Sequence, residues 1–406
     1  MKILIVNTVP KNIGDLALVE GAANTLREAI PSAEISFLTT DMAAAQRLSS
    51  SNIERDYQSA LAQDRGKGNP VRLSLAIIRR IPIHIVRATC YRLVETVFGN
   101  RLKKSFALLD ESDIVLAAPG GYLHDYYVTE HLIQFYRHVI ARNKRLVMLP
   151  QSVGPFDRKS LVEDLKHSVD SELVVINARG ETSYQLLRKL ELKHTTIKKN
   201  QDLGFLWRRP WPEKPKREEG HTKTIALCFR EWVHGIYSVE EIVKDGVKLV
   251  AALAEKNCRV LFLSTCQGDE LYDDDSAMAV EIVKALPEEL KEKVEVNRQA
   301  WTSVDQLMDA YGSCDAYIGM RLHGCLLAMG SGLPAFGLGY EPKTREIYSS
   351  VGLEAFQCEF DKGYSAWGGK VISFIENLDE NYPIFNKASK KGYEQAREFL
   401  SSIQGK

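Results

Sequence analysis

The sequence predicts an α/β protein built from two doubly wound parallel sheets, and three observations carry that prediction. Short apolar runs alternate with helical patterns along most of the chain, the order that parallel sheets require. The alternation is interrupted by Trp207-Arg-Arg-Pro-Trp-Pro-Glu-Lys-Pro-Lys-Arg-Glu-Glu-Gly220, rich in proline and charge and without periodicity, and then restarts. At 406 residues the chain is long for one core and comfortable for two domains.

Residues 1–205 form the first half. Its strands are expected at Lys2–Asn7, Glu34–Leu38, Ile114–Ala118, Arg145–Pro150 and Leu173–Asn177, with helices between them, as at Leu16–Ala29 and Lys159–Val169. Residues 206–222 read as a linker. The second half, 223–375, repeats the pattern with strands at Thr224–Phe229, Val260–Ser264, Ala316–Gly319 and Pro334–Leu338 and helices such as Val239–Ala254 and Asp275–Ala285. Residues 376–406 form a polar tail, helical from about Ile384 to Ile403. Two such halves facing each other place a ligand in the cleft between them. One insertion, about 70–107, breaks the order. Between Arg72 and Lys104 it is apolar and basic together, with Ile77-Ile-Arg-Arg-Ile-Pro-Ile-His-Ile-Val-Arg87 at its centre. It reads either as a core-packed helical insertion with solvated basic residues or as an interfacial helix meeting anionic lipid at the inner face of the membrane. Pro82 opposes one straight helix.

Formal net charge is zero, so no global field points to nucleic acid or membrane. The opening run, Met1-Lys-Ile-Leu-Ile-Val6, is too short for a signal peptide, and no stretch has the length of a transmembrane helix. The seven cysteines show no metal-ligand spacing. Cys228, Cys258 and Cys325 lie in apolar context, as reduced core residues do. These features fit a cytoplasmic protein. Neither a Walker loop nor a complete G-x-G-x-x-G after a strand is present, which weighs against kinase and dehydrogenase chemistry.

Chemistry concentrates where strands end. Ile318-Gly-Met-Arg-Leu-His-Gly324 sits between an apolar strand and a small-residue helix. Its loop lies at the carboxyl end of a parallel strand, where open α/β sheets bind ligands, and the helix start attracts anions. Arg321 adds a planar donor fork and His323 a group that moves a proton near neutral pH. Arg230 follows the first strand of the second half, Arg179 a strand of the first, and Lys343 the strand after the Arg321 loop. Arg321, Lys343 and Arg230 gathered at one sheet end suit a small, highly charged anion. In the first half, Asn12-Ile-Gly-Asp15 offers a tight turn at Gly14 and Asp15 as either a helix cap or a base. Pro119-Gly-Gly-Tyr-Leu-His-Asp125 offers close backbone approach at Gly120 and Gly121, with His124 and Asp125 to orient or deprotonate a hydroxyl. Gln151-Ser-Val-Gly-Pro155 offers the Gln151 amide and Ser152 hydroxyl to a sugar. Each of these also reads as plain turn chemistry.

Taken in order, Asn12-x-Gly-Asp15, Pro119-Gly-Gly-Tyr122, Pro150-Gln-Ser-Val-Gly-Pro-Phe156, Arg179-x-x-x-Ser183, Gly319-Met-Arg-Leu-His323 and Gly332-x-Pro334 with Tyr340-x-x-Lys343 resemble the polysaccharide pyruvyl transferase family over nearly the whole chain. The resemblance implies a GT-B-like fold. It also implies transfer of a pyruvyl group from phosphoenolpyruvate to two hydroxyls of a saccharide, forming a cyclic ketal and releasing phosphate, in cell-surface polysaccharide synthesis. By the same resemblance Arg321, Leu322 and His323 anchor the donor, with His323 the general acid. Arg179 and Arg230 are both candidates for a further donor arginine, and the sequence does not choose. Asp15 or Asp125 would serve as base. Asn12, Gly14, Gly120, Gly121, His124, Gln151 and Ser152 would face the acceptor, a saccharide that is free or lipid-linked. Some relatives carry a histidine where this chain has Gly154. No metal or cofactor is demanded beyond phosphoenolpyruvate as co-substrate. Two rivals share the architecture: a nucleotide-sugar glycosyltransferase, with Glu341 or Glu346 on the ribose, and a non-catalytic sugar- or anion-binding protein.

Overall fold

The computed structural model describes residues 1–50, 52–56, 102–125, 129–209, 220–231, 237–267 and 274–405. The basic insertion up to Arg101 and residues 210–219 of the expected linker lie outside them. The chain divides into two compact units, one of Met1–Pro10 with Leu26–Lys199, the other of Lys11–Thr25 with Asn200–Lys406.

In the first unit the strands are β1 (Lys2–Thr8), β2 (Glu34–Thr39), β3 (Ile53–Arg55), β4 (Ile114–Ala117), β5 (Gly120–Leu123), β6 (Arg145–Val153), β7 (Val174–Ala178) and β8 (Thr196–Lys199). Along the chain the helices between them include α1 (Ile13–Ala29), which belongs to the second unit through Thr25, α2 (Glu130–Ala141), α3 (Lys159–Val169) and α4 (Glu181–Lys189). Every pairing is parallel, in the order β3-β2-β1-β4-β6-β7-β8, with β5 beside β6. Central strands are continuous apolar runs because helices cover both faces; Ile3 to Val6 of β1 are all buried. Order reverses between β1 and β4, the doubly wound signature.

The second unit runs β9 (Lys223–Cys228), α5 (Val239–Glu255), β10 (Cys258–Phe262), α6 (Asp275–Ala285), α7 (Glu288–Lys291), β11 (Val294–Val296), α8 (Val304–Gly312), β12 (Ala316–Gly319), α9 (Leu322–Gly330), β13 (Ala335–Gly339), α10 (Pro342–Val351), β14 (Gln357–Glu359), α11 (Tyr364–Glu376) and α12 (Leu378–Ser401). Its sheet is again wholly parallel, ordered β11-β10-β9-β12-β13-β14, with the switch point between β9 and β12. Local signals agree with these boundaries. Ser238 and Glu241 make a reciprocal capping box at the start of α5, and left-handed Gly352 closes α10.

The expected inner strands are all present, and the sequence reading missed short ones. Of the missed strands, β3, β8, β11 and β14 close the ends of the two strand orders. They are short, three or four residues, and carry charge or amide groups, as in Thr-Ile-Lys-Lys of β8, because an edge strand has no second neighbour to bury it. The loop expected at Pro119–Asp125 instead contains β5, and β6 runs on through Gln151 and Ser152. The tail helix begins at Leu378, ahead of the expected Ile384, and carries Pro383 within it. It packs into the second unit, with Phe385 and Leu400 fully buried and Gln201 Nε2 donating to Gln395 Oε1 at 3.0 Å. Among the described residues no helix is long and apolar enough to cross a membrane.

Candidate functional site

The β9–β12 register pairs Cys228 with Gly319, so the two switch-point strands end level. Arg230 and Arg321 each follow two residues later. They therefore emerge side by side at the carboxyl edge, where α/β sheets hold ligands. Arg321 occupies the cap position of α9, in extended backbone, and supplies no side-chain cap. An arginine has only donors and cannot accept from the helix N–H groups. The first-turn N–H groups of α9 thus keep their attraction for an anion.

Arg321 is not an isolated cation. Its Nε and Nη2 both donate to Asp275 Oδ1, at 2.8 and 2.6 Å, with the two side chains 13% and 1% exposed. Burial opposes the guanidinium charge, but Asp275 outweighs it and holds the Arg321 pKa well above its ordinary value. Arg230 is also buried. Its Nη1 donates to the Tyr340 hydroxyl at 2.9 Å, its Nε to the Glu231 carbonyl, and its guanidinium carbon lies 5.3 Å from the centre of the Tyr340 ring. Burial works against this charge too and Arg321 lowers it further, yet Tyr340 and Asp275 bring the net shift upward. Lys343 Nζ lies 5.3 Å from the centre of the same ring and 2.5 Å from Glu341 Oε2. The expected trio of Arg321, Lys343 and Arg230 is thus placed at the ends of β9, β12 and β13, interleaved with Tyr340, Asp275 and Glu341.

His323 stands in the first turn of α9. The other residues of this helix, Leu322 and Gly324 to Gly330, are buried, because their small and apolar side chains pack all round it. Any contact of Leu322 with a ligand would run through its backbone N–H. His323 is the accessible position, 16% exposed, with Nδ1 3.9 Å from Asp15 Oδ1 and Nε2 3.9 Å from Asp202 Oδ2. Asp202 is 1% exposed at the start of a short 3-10 turn and accepts from the Gly204 N–H at 2.8 Å. The first residues of α1 belong to this unit and present Asp15 to the ring. The cap expected from Asp15 comes from Asn12 instead, whose Oδ1 accepts from the Gly14 N–H at 2.8 Å. The helix starts three residues earlier than expected: Ile13 N–H donates to the Thr265 carbonyl, and Leu16 N–H to the Asn12 carbonyl. Gly14 is needed for proximity, since a Cβ there would lie 3.0 Å from His323 Cβ and 3.2 Å from its Nδ1.

The remaining candidates lie in the first unit. Arg179, buried at the end of β7, donates from Nε to the Ser152 hydroxyl at 2.8 Å. A Cβ on Gly121 would sit 3.3 Å from its Nη2. Gly120, at φ +146°, opens β5. Gln151 departs from its expected part. It is fully buried, and its amide donates inward to the Tyr122 hydroxyl at 2.6 Å and the Ala118 carbonyl at 3.3 Å. His124 Nε2 lies 3.2 Å from the Gly121 carbonyl. Asp125 is engaged in holding a loop. It accepts from the backbone N–H groups of Asp157 and Arg158 and from Arg158 Nε at 3.1 Å. Burial raises its pKa, but these hydrogen bonds and the Arg158 charge win, leaving it below the usual carboxylate value. A carboxylate stabilised in this way is a poor base.

Sequence reasoning missed Asp275 and Asp202. Asp275 follows Asp274 at a helix start, where acidic residues read as caps. Asp274 is indeed the cap, accepting from Ser276 N–H, and nothing local marks the next residue as buried. Asp202 has the same disguise. Among the described residues, no group of three or more His, Cys, Asp or Glu side chains is arranged to hold a metal ion.

Comparison with known proteins adds three findings. A family model described as polysaccharide pyruvyl transferase matches residues 12–342. The amylovoran biosynthesis protein AmsJ of Erwinia amylovora is 24% identical over 413 residues, spanning 98% of this chain and 96% of that protein. Among solved structures, a putative UDP-N-acetylglucosamine 2-epimerase from Listeria monocytogenes aligns over 99% of this chain and 94% of its own, with a TM-score of 0.58 at 10% identity. The trehalose-6-phosphate synthase OtsA aligns over 100% and 99%, with a TM-score of 0.55 at 12% identity. At these identities the likeness shows the GT-B-like fold alone.

Proposed function

Because this chain belongs to the polysaccharide pyruvyl transferase family, we propose that it moves the pyruvyl group of phosphoenolpyruvate onto two hydroxyls of a saccharide. The product is a cyclic ketal and inorganic phosphate. The observation that carries this reading is the pairing of Arg230 and Arg321 at the ends of neighbouring switch-point strands, beside the accessible His323. Phosphoenolpyruvate bears a carboxylate and a phosphate close together. Two guanidinium groups and an uncapped helix start match that charge.

In the proposed sequence, His323 gives a proton to the enol methylene while one sugar hydroxyl bonds through its oxygen to the adjacent carbon, and that hydroxyl's own proton returns to the His323 ring. The carbon keeps its phosphate in this addition. A second hydroxyl then displaces phosphate, and Asp15, which faces the His323 ring, takes the proton released. Of the two candidate bases, Asp15 is favoured because Asp125 is committed to Arg158 in the loop after β6. Of the two candidate arginines, Arg230 is favoured because it follows a strand that ends level with the one before Arg321. The name of the amylovoran relative supports an exopolysaccharide acceptor.

The test is thermal unfolding of wild type and Arg321→Ala with phosphoenolpyruvate beside a panel of nucleotide sugars. A ligand at ~100 times its dissociation constant stabilises a fold by roughly 2.7 kcal/mol. A shift with phosphoenolpyruvate, lost in the variant, is expected. A shift with a nucleotide sugar instead would move the reading to glycosyl transfer.

A further inference from the structure

We propose that Asp275 is a positioning residue, which fixes the plane of the Arg321 guanidinium before the donor arrives. The inference rests on the assignment of Arg321 as donor anchor. Asp275 opens α6 and is 3% exposed. Its two oxygens divide their partners. Among the described residues, Oδ1 receives only Arg321, through Nε and Nη2, along one edge of the guanidinium. Oδ2 is held from the protein side by the Thr265 N–H at 3.3 Å, the Cys266 N–H at 3.1 Å, the Thr265 hydroxyl at 3.4 Å and the Cys228 thiol at 3.6 Å.

A carboxylate beside an anion site looks wrong on charge alone. Its benefit is geometric. Arginine has long rotamer freedom, and an ordered fork forfeits less of it on binding. With the Nε edge spent on Asp275, the edge bearing Nη1 is the one left to a ligand. The carboxylate is itself anchored to the last residue of β9 and to the loop that follows β10, so Arg321 is tied to the sheet through it. The same loop extends this frame. Thr265 donates to Asp275 through its N–H and accepts the Ile13 N–H of α1 at its carbonyl. One short segment thereby ties the Arg321 anchor to the helix that carries Asp15. Groups that orient a metal-ligating side chain typically matter 10–100-fold in affinity or activity, and a group orienting a donor-binding guanidinium is expected on the same scale.

The experiment measures phosphoenolpyruvate affinity by calorimetry for the full-length wild type, Asp275→Asn, Arg321→Ala, Arg321→Lys and the Arg321→Lys/Asp275→Asn double variant. Cooperative unfolding is checked for each. Asn keeps the shape and one acceptor but turns an amide toward the Thr265 and Cys266 N–H groups. We expect Asp275→Asn to weaken binding about tenfold or more in wild type, and by less than about twofold in the Arg321→Lys background, where no fork remains to be oriented. Unchanged or tighter binding in Asp275→Asn overturns the inference. So does an equal loss in both backgrounds, which would mark a general structural role. Wild-type affinity in Arg321→Ala removes the donor assignment itself, and this inference with it. If Asp275→Asn lacks a cooperative transition, Asp275→Glu replaces it in the same cycle. It keeps the charge but is one methylene too long to hold Arg321 and the loop together, and the same outcomes decide.

Discussion

Replacing His323 by Asn should separate chemistry from donor binding. Asn is close in size to the near half of the ring and carries no proton to give. Positioned acid catalysis contributes roughly 10²–10⁴-fold, which at about 1.36 kcal/mol per decade is ~2.7–5.5 kcal/mol of barrier. The surroundings argue for the upper part of that range. Among the described residues, Asp15 and Asp202 each lie 3.9 Å from a ring nitrogen, and neither can donate a proton as a carboxylate. Stability should change little, by about 1 kcal/mol, because Asp15 is 38% exposed and Asp202 retains the Gly204 N–H. The assay is phosphate release from phosphoenolpyruvate with a saccharide acceptor, beside calorimetric donor affinity and urea unfolding. A folded variant turning over within tenfold of wild type would refute the role of His323. So would a donor affinity that collapses in step with turnover, since the residue would then be a binding group.

Three further outcomes follow from the geometry. Arg321→Ala leaves Asp275 buried without its guanidinium partner, and the loss of one member of a buried pair costs about 3–5 kcal/mol, readable by urea unfolding. Gly14→Ala should press on His323 and lower turnover about tenfold with a far smaller effect on unfolding, the scale expected when a reacting group is displaced by a fraction of an ångström. Asp125 has a depressed folded pKa, so its stabilising contribution is present above the unfolded value of about 3.9 and is lost as pH falls through the lower folded value. Accordingly, Asp125→Asn should destabilise at pH 7, and the gap from wild type should close as pH falls below that window, followed by urea midpoints.

The sequence by itself determined the two doubly wound halves, because buried parallel strands must be continuous apolar runs and the helices between them must be amphipathic or small. It also singled out the strand-end loops expected to carry chemistry. Arg230, Arg321 and Lys343 could be placed at strand ends by counting from the apolar runs, and the family resemblance rests on these same short motifs. Edge strands such as β8 and β11 escaped because three or four half-exposed residues are too short a run to leave an apolar signature. Which groups meet across the chain was likewise not legible. Asp275 is 46 residues from Arg321, and Asp202 is far from His323 in sequence, so no local pattern pairs them. Both aspartates look like ordinary caps until the fold buries them. The sequence also let Asp15 and Asp125 stand as equal candidates for a base. Tertiary structure separated them, placing one against a histidine and the other against three donors of Asp157 and Arg158 in the loop after β6. Strand periodicity is a local property written in consecutive residues. The partner of a buried charge is set by which strand ends the sheet order brings together, and that is decided only when the sheet closes.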